Sequence, residues 1–405
     1  MFKHLKSLYH KFLAYAGAIV YQYPSRQITV IGITGTKGKS TTAEALASVL
    51  EAAGYPVALL SSVHVKIDKD ISHNITGNTM PGRFFIQRWL REAVRAGCRF
   101  AILEVTSQGV VGHRHEHIDF DVAAMTCLHA EHIESHGSFD KYRAAKVKFF
   151  ADTAARSQKP KKIFVINSDS EHAPYFKTAA NGSGEIVYFS REEFVKDELS
   201  YAGLSSGHWL SSNFNLENAA AVAAICRALG IPAVITRKAL ADFKGVPGRY
   251  EWLDARTNNG AFSVVIDYAH TPGSFEALLK ALKDKKPTRL IAVFGSYGEG
   301  RDRWKRPQIG TIAETYCDKM YLTNEGPGDE HPQTIVDQIA SGITDKLKII
   351  MILDRRNAIK AALEEAKEGD IVALIGKGHE SYIRIGKHKI PWNERQVAEE
   401  VLAGL

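Results

Sequence analysis

In the run "GITGTKGKSTT" at residues 32–42, Gly35 and Gly38 lead into Lys39, Ser40, Thr41 and Thr42. Residues of these types at this spacing can hold a phosphate. The glycines let the main chain approach an anion closely, and the N–H groups around Thr36 and Lys37 can wrap its oxygens. Lys39 supplies a positive charge, and Ser40 or Thr41 can ligate Mg²⁺. The standard phosphate loop has a further glycine five positions before the second one. That position is Ile33, so this loop is a compact variant. Glu104 ends the apolar run "FAILE", where parallel sheets face their ligands, and is placed to hold magnesium near the loop. Taken alone it also reads as an ordinary strand-end charge.

"HRHEHID" and "CLHAEHIESHG" concentrate six histidines: His113, His115, His117, His129, His132 and His136. A zinc site is one reading, but neither stretch has the H-E-x-x-H spacing of a helical metal site. Surface or hydrogen-bonded core histidines are the plainer expectation. Lys146 sits among small and apolar residues in "KYRAAKVKFF", where a lysine pKa is easily depressed; a snorkelling lysine is the alternative.

These residues need elements to position them. "QITVIGIT" is a β-branched apolar run, read as a buried strand, and "TTAEALASVLEAAG" has helical spacing that stops at Gly54. Strand, glycine loop and helix together make the setting a phosphate loop requires. "VALLSS", "RFAILEVTS", "DFDVAAMTCL" and "KKIFVINSDS" read as further strands, with helices such as "FFIQRWLREAVRAG" between some of them. A second series follows "GVPGRYEWL": "SVVID", "RLIAVFG", "KMYLTN", "LKIIMILD" and "DIVALIG", alternating with "SFEALLKALKD" and "RRNAIKAALEEAKEG". The expected fold is α/β, a phosphate-loop parallel sheet followed by a smaller Rossmann-like α/β domain. The expected divisions are a basic amphipathic segment at 1–26, a central nucleotide-binding domain at 27–245 and a C-terminal domain at 246–405.

The chain has 405 residues, with 45% hydrophobic and 24% charged, which fits a globular enzyme of two or three domains. Its net charge of +7 is scattered rather than clustered, so phosphorylated ligands are expected and nucleic acid is unsupported. Cys98, Cys127, Cys226 and Cys317 lie far apart, with no disulfide framework and no C-x-x-C pair. The first residues, "MFKHLKSLYHKFLAYAGAIV", superficially resemble a signal peptide. Phe2, Leu5, Leu8, Phe12 and Leu13 instead recur at helical spacing, with Lys3, Lys6 and Lys11 between them. That helix over residues 2–13 packs on the protein's own core or touches a membrane or partner. Nucleotide use directly afterwards points to the cytoplasm.

The motifs "GTKGKSTT", "LEVTSQG", "AEHIESHG" followed by "AAKVKFF", "FNLENAAAVAA", "GVPGRYE", "DYAHTPGSFEALL", "GKGHESY" and "NERQVAEE" occur in this order. The set resembles the Mur ligases over roughly residues 28–403, and the compact loop is that family's form. The resemblance implies an ATP- and magnesium-dependent amide synthetase. In it a carboxylate attacks the γ-phosphate, and an amine then displaces phosphate from the acyl phosphate. By motif match, Ser40 and Glu104 would hold one magnesium, His132 a second, and a carbamylated Lys146 would order that second metal. Gly35, Thr36, Lys37, Gly38, Lys39, Ser40 and Thr41, with Asn218, Arg249, Asp267 and His270, would bind ATP. Thr79, Ser107 and Arg114 would grip the acceptor, and Glu325, Gly376 and Glu380 the amino acid.

The chain departs from the family pattern in three places. Residues 325–328 read Glu325, Gly326, Pro327 and Gly328 where diaminopimelate-adding members have D-N-P-R, so the arginine that clamps a distal carboxylate is absent. Glu131 replaces the usual aspartate, and Cys127 stands where asparagine is frequent. Only 31 residues precede Gly32, where relatives carry a uridine-binding domain. The expectation is an acceptor held by its peptide and sugar end, small-molecule or lipid-linked, with the first helix available for a membrane. Folylpolyglutamate, cyanophycin and poly-glutamate ligases share the same chemistry. A phosphate-loop NTPase driving another task, or a catalytically weakened binding partner on the same fold, remain the readings from other classes.

Overall fold

The computed structural model describes residues 2–129, 136–197, 207–298 and 303–405. The chain divides into two compact units, one running to Lys244 and the other from Gly245 onward, the latter also taking in residues 207–209.

The first unit begins with α1 (Phe2–Val20), then β1 (Thr29–Thr34), α2 (Lys39–Ala52), β2 (Val57–Leu60), β3 (His64–Ile67) and β4 (Asp70–His73). It continues through α3 (Arg83–Arg95), β5 (Phe100–Glu104), α4 (Ser107–Val111), β6 (Val122–Met125) and α5 (Phe139–Arg156). β7 (Ile163–Asn167), α6 (Ala173–Ala180), β8 (Glu185–Phe189), α7 (Arg191–Asp197), α8 (Asn213–Ala228) and α9 (Ala233–Asp242) complete it. The strands form one sheet in the order β4-β3-β2-β5-β1-β6-β7-β8. The six from β2 to β8 are parallel, and β3 and β4 extend the edge as an antiparallel hairpin. Both faces of β1 and β5 are covered, which is why they read as continuous apolar runs. On one face Trp89, Leu90, Phe149, Phe150 and Phe176 pack against Val30, Ala101 and Phe164. Burying each such large side chain stabilises the unit by about 1.5–3 kcal/mol.

The second unit contains β9 (Glu251–Thr257), β10 (Gly260–Asp267), α10 (Pro272–Lys283), β11 (Leu290–Phe294), α11 (Lys305–Tyr316), β12 (Lys319–Leu322), α12 (Pro332–Ala340) and β13 (Ile349–Met351). α13 (Arg355–Glu365), β14 (Ile371–Ile375), the hairpin β15 (Tyr382–Ile385) and β16 (His388–Pro391), and α14 (Glu394–Leu402) follow. Its sheet runs β13-β12-β11-β14-β10-β9, parallel except for β9. Thr271 and Ser274 close a capping box at the start of α10.

The α/β fold stands as expected, and the antiparallel strands β3, β4 and β9 and the β15–β16 hairpin add to it; β4 and β16 are exposed along their whole length and so carry no continuous apolar run. One expectation needs correction. The first helix extends to Val20, beyond residue 13. It packs on α3 through its small residues Ala14, Gly17 and Ala18, while Leu5, Leu8, Tyr9, Phe12, Tyr15, Ile19 and Val20 are exposed.

Candidate active site

In the first unit the phosphate loop joins the end of β1 to the start of α2. Gly38 is the N-cap of α2 at φ +81°, and Gly35 lies at φ +151°. A Cβ on Gly35 would sit 1.9 Å from Thr126 Oγ1, and one on Gly38 would sit 2.1 Å from Asn218 Oδ1. Only glycine fits at either place, so the loop is drawn tightly against β6 and α8. The Thr126 hydroxyl donates to the Lys37 carbonyl at 2.6 Å, and Thr36 N donates to the Cys127 carbonyl at 2.8 Å. From α5, the Tyr142 hydroxyl lies 3.0 Å from Thr36 Oγ1, and the buried Lys146 donates to the Gly35 carbonyl at 2.7 Å. Lys39 Nζ donates to the carbonyls of Gly35 and Thr36 at 2.9 and 3.1 Å.

Glu104 is 1% exposed at the end of β5. Its Oε1 accepts from Ser62 N at 2.7 Å and from Ser62 Oγ at 3.2 Å, and Ser62 Oγ lies 2.7 Å from Ser40 Oγ. Ser40, Ser62 and Glu104 therefore form one hydrogen-bonded line beside the loop. All three offer hard oxygen donors, which fit magnesium. Ser62 carried no sequence signal, because a single serine after a strand is unremarkable; only its position opposite Ser40 marks it. Thr41 is buried in the first turn of α2, and Asn218 Nδ2 donates to Asn215 Oδ1 at 3.0 Å.

Ser107 Oγ lies 3.1 Å from His136 Nε2, and burial lowers the His136 pKa, helped by the charge of Lys146. Thr79 is half-buried just before α3, and Arg114 Nη1 donates to the Met80 carbonyl. The other histidines settle separately. His113 Nδ1 lies 2.8 Å from Glu116 Oε1, His115 Nε2 lies 2.7 Å from Asp152 Oδ2, and His129 N donates to Thr36 Oγ1. Burial lowers the His115 pKa, and no group of three metal-binding side chains occurs among the described residues. His132 and Glu131 lie outside the described residues.

In the second unit the remaining candidates gather at the carboxyl ends of β10, β12 and β14. Asp267 accepts main-chain N–H groups from Tyr250 at 2.7 Å and Ala269 at 2.6 Å. His270 Nδ1 lies 2.8 Å from the Tyr268 carbonyl, and the Arg249 guanidinium sits 4.3 Å from the centre of the Tyr268 ring. Glu380 accepts from Tyr268 Oη at 3.1 Å and from Lys377 Nζ at 2.6 Å. Burial pushes Glu380 up to about 8 and Lys377 down to about 7. Lys377 also donates to Tyr297 Oη at 2.9 Å. Glu325 is 2% exposed, its Oε1 has no hydrogen-bond partner among the described residues, and burial raises its pKa against the pull of Arg355, Lys377 and Lys305. Gly376 stands against that carboxylate, where a Cβ would lie 2.3 Å from Glu325 Oε2. Lys377 and Tyr297 were not read as site residues; as a buried lysine and a loop tyrosine they are marked only by their contacts.

A phosphate loop on a parallel sheet with an acid at a neighbouring strand end, followed by a second α/β unit, defines a nucleotide-using α/β enzyme. The comparisons agree with that class and narrow it. Residues 33–226 match the model of the Mur ligase middle domain, and residues 248–378 that of the Mur ligase glutamate ligase domain. The chain is 35% identical over 403 residues to the UDP-N-acetylmuramoyl-L-alanyl-D-glutamate–2,6-diaminopimelate ligase of Thermosynechococcus vestitus, covering 95% of this chain and 79% of that protein. It is 36% identical to the UDP-N-acetylmuramyl-tripeptide synthetase of a Roseiflexus species, covering 97% of this chain and 82% of that protein. A solved UDP-N-acetylmuramoyl-L-alanyl-D-glutamate–2,6-diaminopimelate ligase superposes with a TM-score of 0.57 at 28% identity, over 93% of this chain and 78% of the other. The chain belongs to the Mur ligase family. It is an ATP-dependent ligase that forms carbon–nitrogen bonds and uses ATP and Mg²⁺.

Proposed function

We propose that this enzyme adds an amino acid to a free carboxylate of a nucleotide-linked muramoyl-peptide, within cell-wall precursor synthesis. The observation that carries the reading is the line Ser40–Ser62–Glu104 beside a glycine cradle in which no side chain fits. Two anions, ATP and a carboxylate, must meet for this reaction, so positive charge has to be fixed in place beforehand. Lys39 and the N-terminus of α2 supply it. Ser40 and Glu104, oriented by Ser62 between them, would hold magnesium, which adds further charge against the phosphate oxygens. An acceptor oxygen bonds to the γ-phosphorus and ADP leaves. The neutral amine then bonds to the acyl carbon, orthophosphate leaves, and the nitrogen sheds a proton.

Lys146 is the site proposed for carbamylation. Lys39 and Lys146 both donate to the Gly35 carbonyl, so two ammonium groups crowd one acceptor. After giving up a proton, the Lys146 amine would bond to the carbon of CO₂ and release a second proton, so that one of these cations becomes a carbamate anion able to ligate a metal. Thr79, Ser107 and Arg114 hold the acceptor; Asn218, Arg249, Asp267 and His270 serve the nucleotide; Glu325, Gly376 and Glu380 receive the amino acid. No helix among the described residues is long and apolar enough to cross a membrane. The exposed apolar face of α1, a helix whose sequence holds lysines and no acid, is instead proposed to rest on an anionic membrane surface.

The deciding assay is phosphate release from ATP with UDP-N-acetylmuramoyl-L-alanyl-D-glutamate and a panel of amino acids. Release requiring both acceptor and amine is expected. Equal hydrolysis without an acceptor would favour an NTPase that drives another task.

A further inference from the structure

Two arginines in the first unit lie close enough for the charge of one to act on the other, and neither is ion-paired with an acid among the described residues. Arg83 opens α3, and its Nη2 donates to the carbonyl of Gly112, just after α4. Arg114 follows α4, and its Nη1 donates to the carbonyl of Met80, just before α3. Each side chain thus leaves one segment and closes on the other. The segments are themselves in contact: a Cβ on Gly109 would lie 2.3 Å from Met80 Sδ. Both arginines are half-buried, both Nε atoms are buried without a partner, and neither makes an ion pair among the described residues. Desolvation lowers the pKa of both, and the charge of Arg114 lowers that of Arg83 further.

The groups that could balance them are already committed. Glu116 is the acid facing Arg83, but His113 holds it at 2.8 Å, with Arg156 at 3.5 Å and Lys148 at 4.0 Å. Tyr9 of α1 also faces Arg83, as a phenol. Two half-buried guanidinium groups held together without an anion repel each other and have lost part of their hydration. The cost is offset when one carboxylate takes N–H donors from both forks. Thr79 adjoins Met80 and Ser107 opens α4, so the pair lies where the acceptor is proposed to bind.

We infer that Arg83 joins Arg114 in a two-guanidinium seat for a second carboxylate of the acceptor, the one that is not activated. The inference rests on the ligase reading above and deepens it: the acceptor is a dicarboxylate, and Arg83 selects for it. Arg83→Lys keeps the charge but loses the planar fork, whereas Arg83→Gln loses both.

The test is calorimetric binding of UDP-N-acetylmuramoyl-L-alanyl-D-glutamate and of the same compound with its non-ligated glutamate carboxylate converted to a carboxamide, with turnover measured in parallel. Wild type is expected to prefer the acid by more than about 10-fold. Arg83→Gln is expected to lose most of that preference through KM, with kcat changed less, and Arg83→Lys to fall between. Equal binding of acid and amide by wild type, or unchanged discrimination in Arg83→Gln, would overturn the seat. Ligation without discrimination sinks the seat and leaves the ligase reading standing. Discrimination in binding without ligation does the reverse.

Discussion

Lys146 and Gly35 lie 111 positions apart in the chain, yet the Lys146 ammonium donates to the Gly35 carbonyl at 2.7 Å. Lys39 donates to the same oxygen. A buried cation on α5 is thereby fixed to the phosphate loop itself, and its charge state bears directly on what the loop can hold. Replacing Lys146 by alanine is expected to lower turnover by more than about 100-fold, some 2.7 kcal/mol of transition-state stabilisation. Cooperative unfolding should persist. Activity should also fall in CO₂-depleted buffer and return with bicarbonate, alongside an intact mass heavier by one CO₂. Full activity of the alanine variant would remove Lys146 from the mechanism.

Gly38→Ala is a sharper probe of the loop. The substitution places a methyl group 2.1 Å from Asn218 Oδ1 at a φ of +81°. Strain of this type costs about 1–3 kcal/mol, and the shift it forces falls on the anion cradle. The melting temperature should drop and ATP affinity should collapse together. Alanine at Gly54, also at positive φ but with nothing within 4 Å, should cost stability alone. Equal ATP binding by the two variants would separate the cradle from nucleotide binding.

Ser62→Ala tests the line between Ser40 and Glu104. Loss of the hydroxyl leaves Glu104 with the Ser62 N–H but breaks its link to Ser40. The magnesium concentration for half-maximal activity is expected to rise about 10–100-fold, the usual effect of removing a ligand's orienting partner. Activity at saturating magnesium should fall much less. An unchanged magnesium dependence would leave Ser62 a merely structural serine.

The strands that position this chemistry were legible because most are buried on both faces. "QITVIGIT" and "DIVALIG" hold little but apolar residues, and burial of β1 and β14 is the physical reason. β4 left no such trace, since Asp70, Ile71, Ser72 and His73 are all exposed. Adjacency in sequence made the phosphate loop readable, and motif order carried the family. Ser62, Tyr142 and Tyr297 were invisible because each gains meaning only from a partner distant in the chain. The first helix was half-read: its periodicity is helical, but periodicity cannot say which face is inward. Here Ala14, Gly17 and Ala18 are buried, while most of the large side chains are exposed.

Diaminopimelate is expected to be a poor substrate. Gly328 occupies the place of the clamping arginine, and its main chain is already engaged: its N–H donates to the Arg384 carbonyl at 3.2 Å and its carbonyl accepts from Gly386 N at 2.7 Å. Two arginines nearby in the chain are already paired, and Arg301 lies outside the described residues. Arg306 is fully buried against Glu330, and Arg303 pairs with the same acid at 3.2 Å. A bidentate guanidinium–carboxylate contact is worth about 1.5–3 kcal/mol, so kcat/KM for diaminopimelate should lie at least about 10-fold below that for the best amino acid in a panel. Gly328→Arg should not restore it, because φ there is +58°. Preferential use of diaminopimelate would mean that another cation reads its distal carboxylate.

The last expectation concerns α1. Leu5, Leu8, Phe12, Tyr15 and Ile19 recur at three- and four-residue spacing on its solvent side, and Tyr9 and Val20 widen the stripe. An ordinary surface helix turns such a face inward. This one carries Lys3, Lys6 and Lys11 and no acidic residue, the pattern of a helix lying in a membrane interface. Three lysines near an anionic surface contribute roughly 3 kcal/mol, screened by salt, and the aromatic side chains suit the headgroup layer. The enzyme should therefore co-float with vesicles containing phosphatidylglycerol, bind neutral vesicles weakly, and be released from the anionic ones as salt is raised. Leu8→Glu with Phe12→Glu should abolish flotation without changing the melting temperature, because both side chains are more than 60% exposed already. If the unaltered enzyme ignores anionic vesicles, or the double variant floats as well as wild type, the stripe serves a protein partner or a second copy of this chain rather than a membrane.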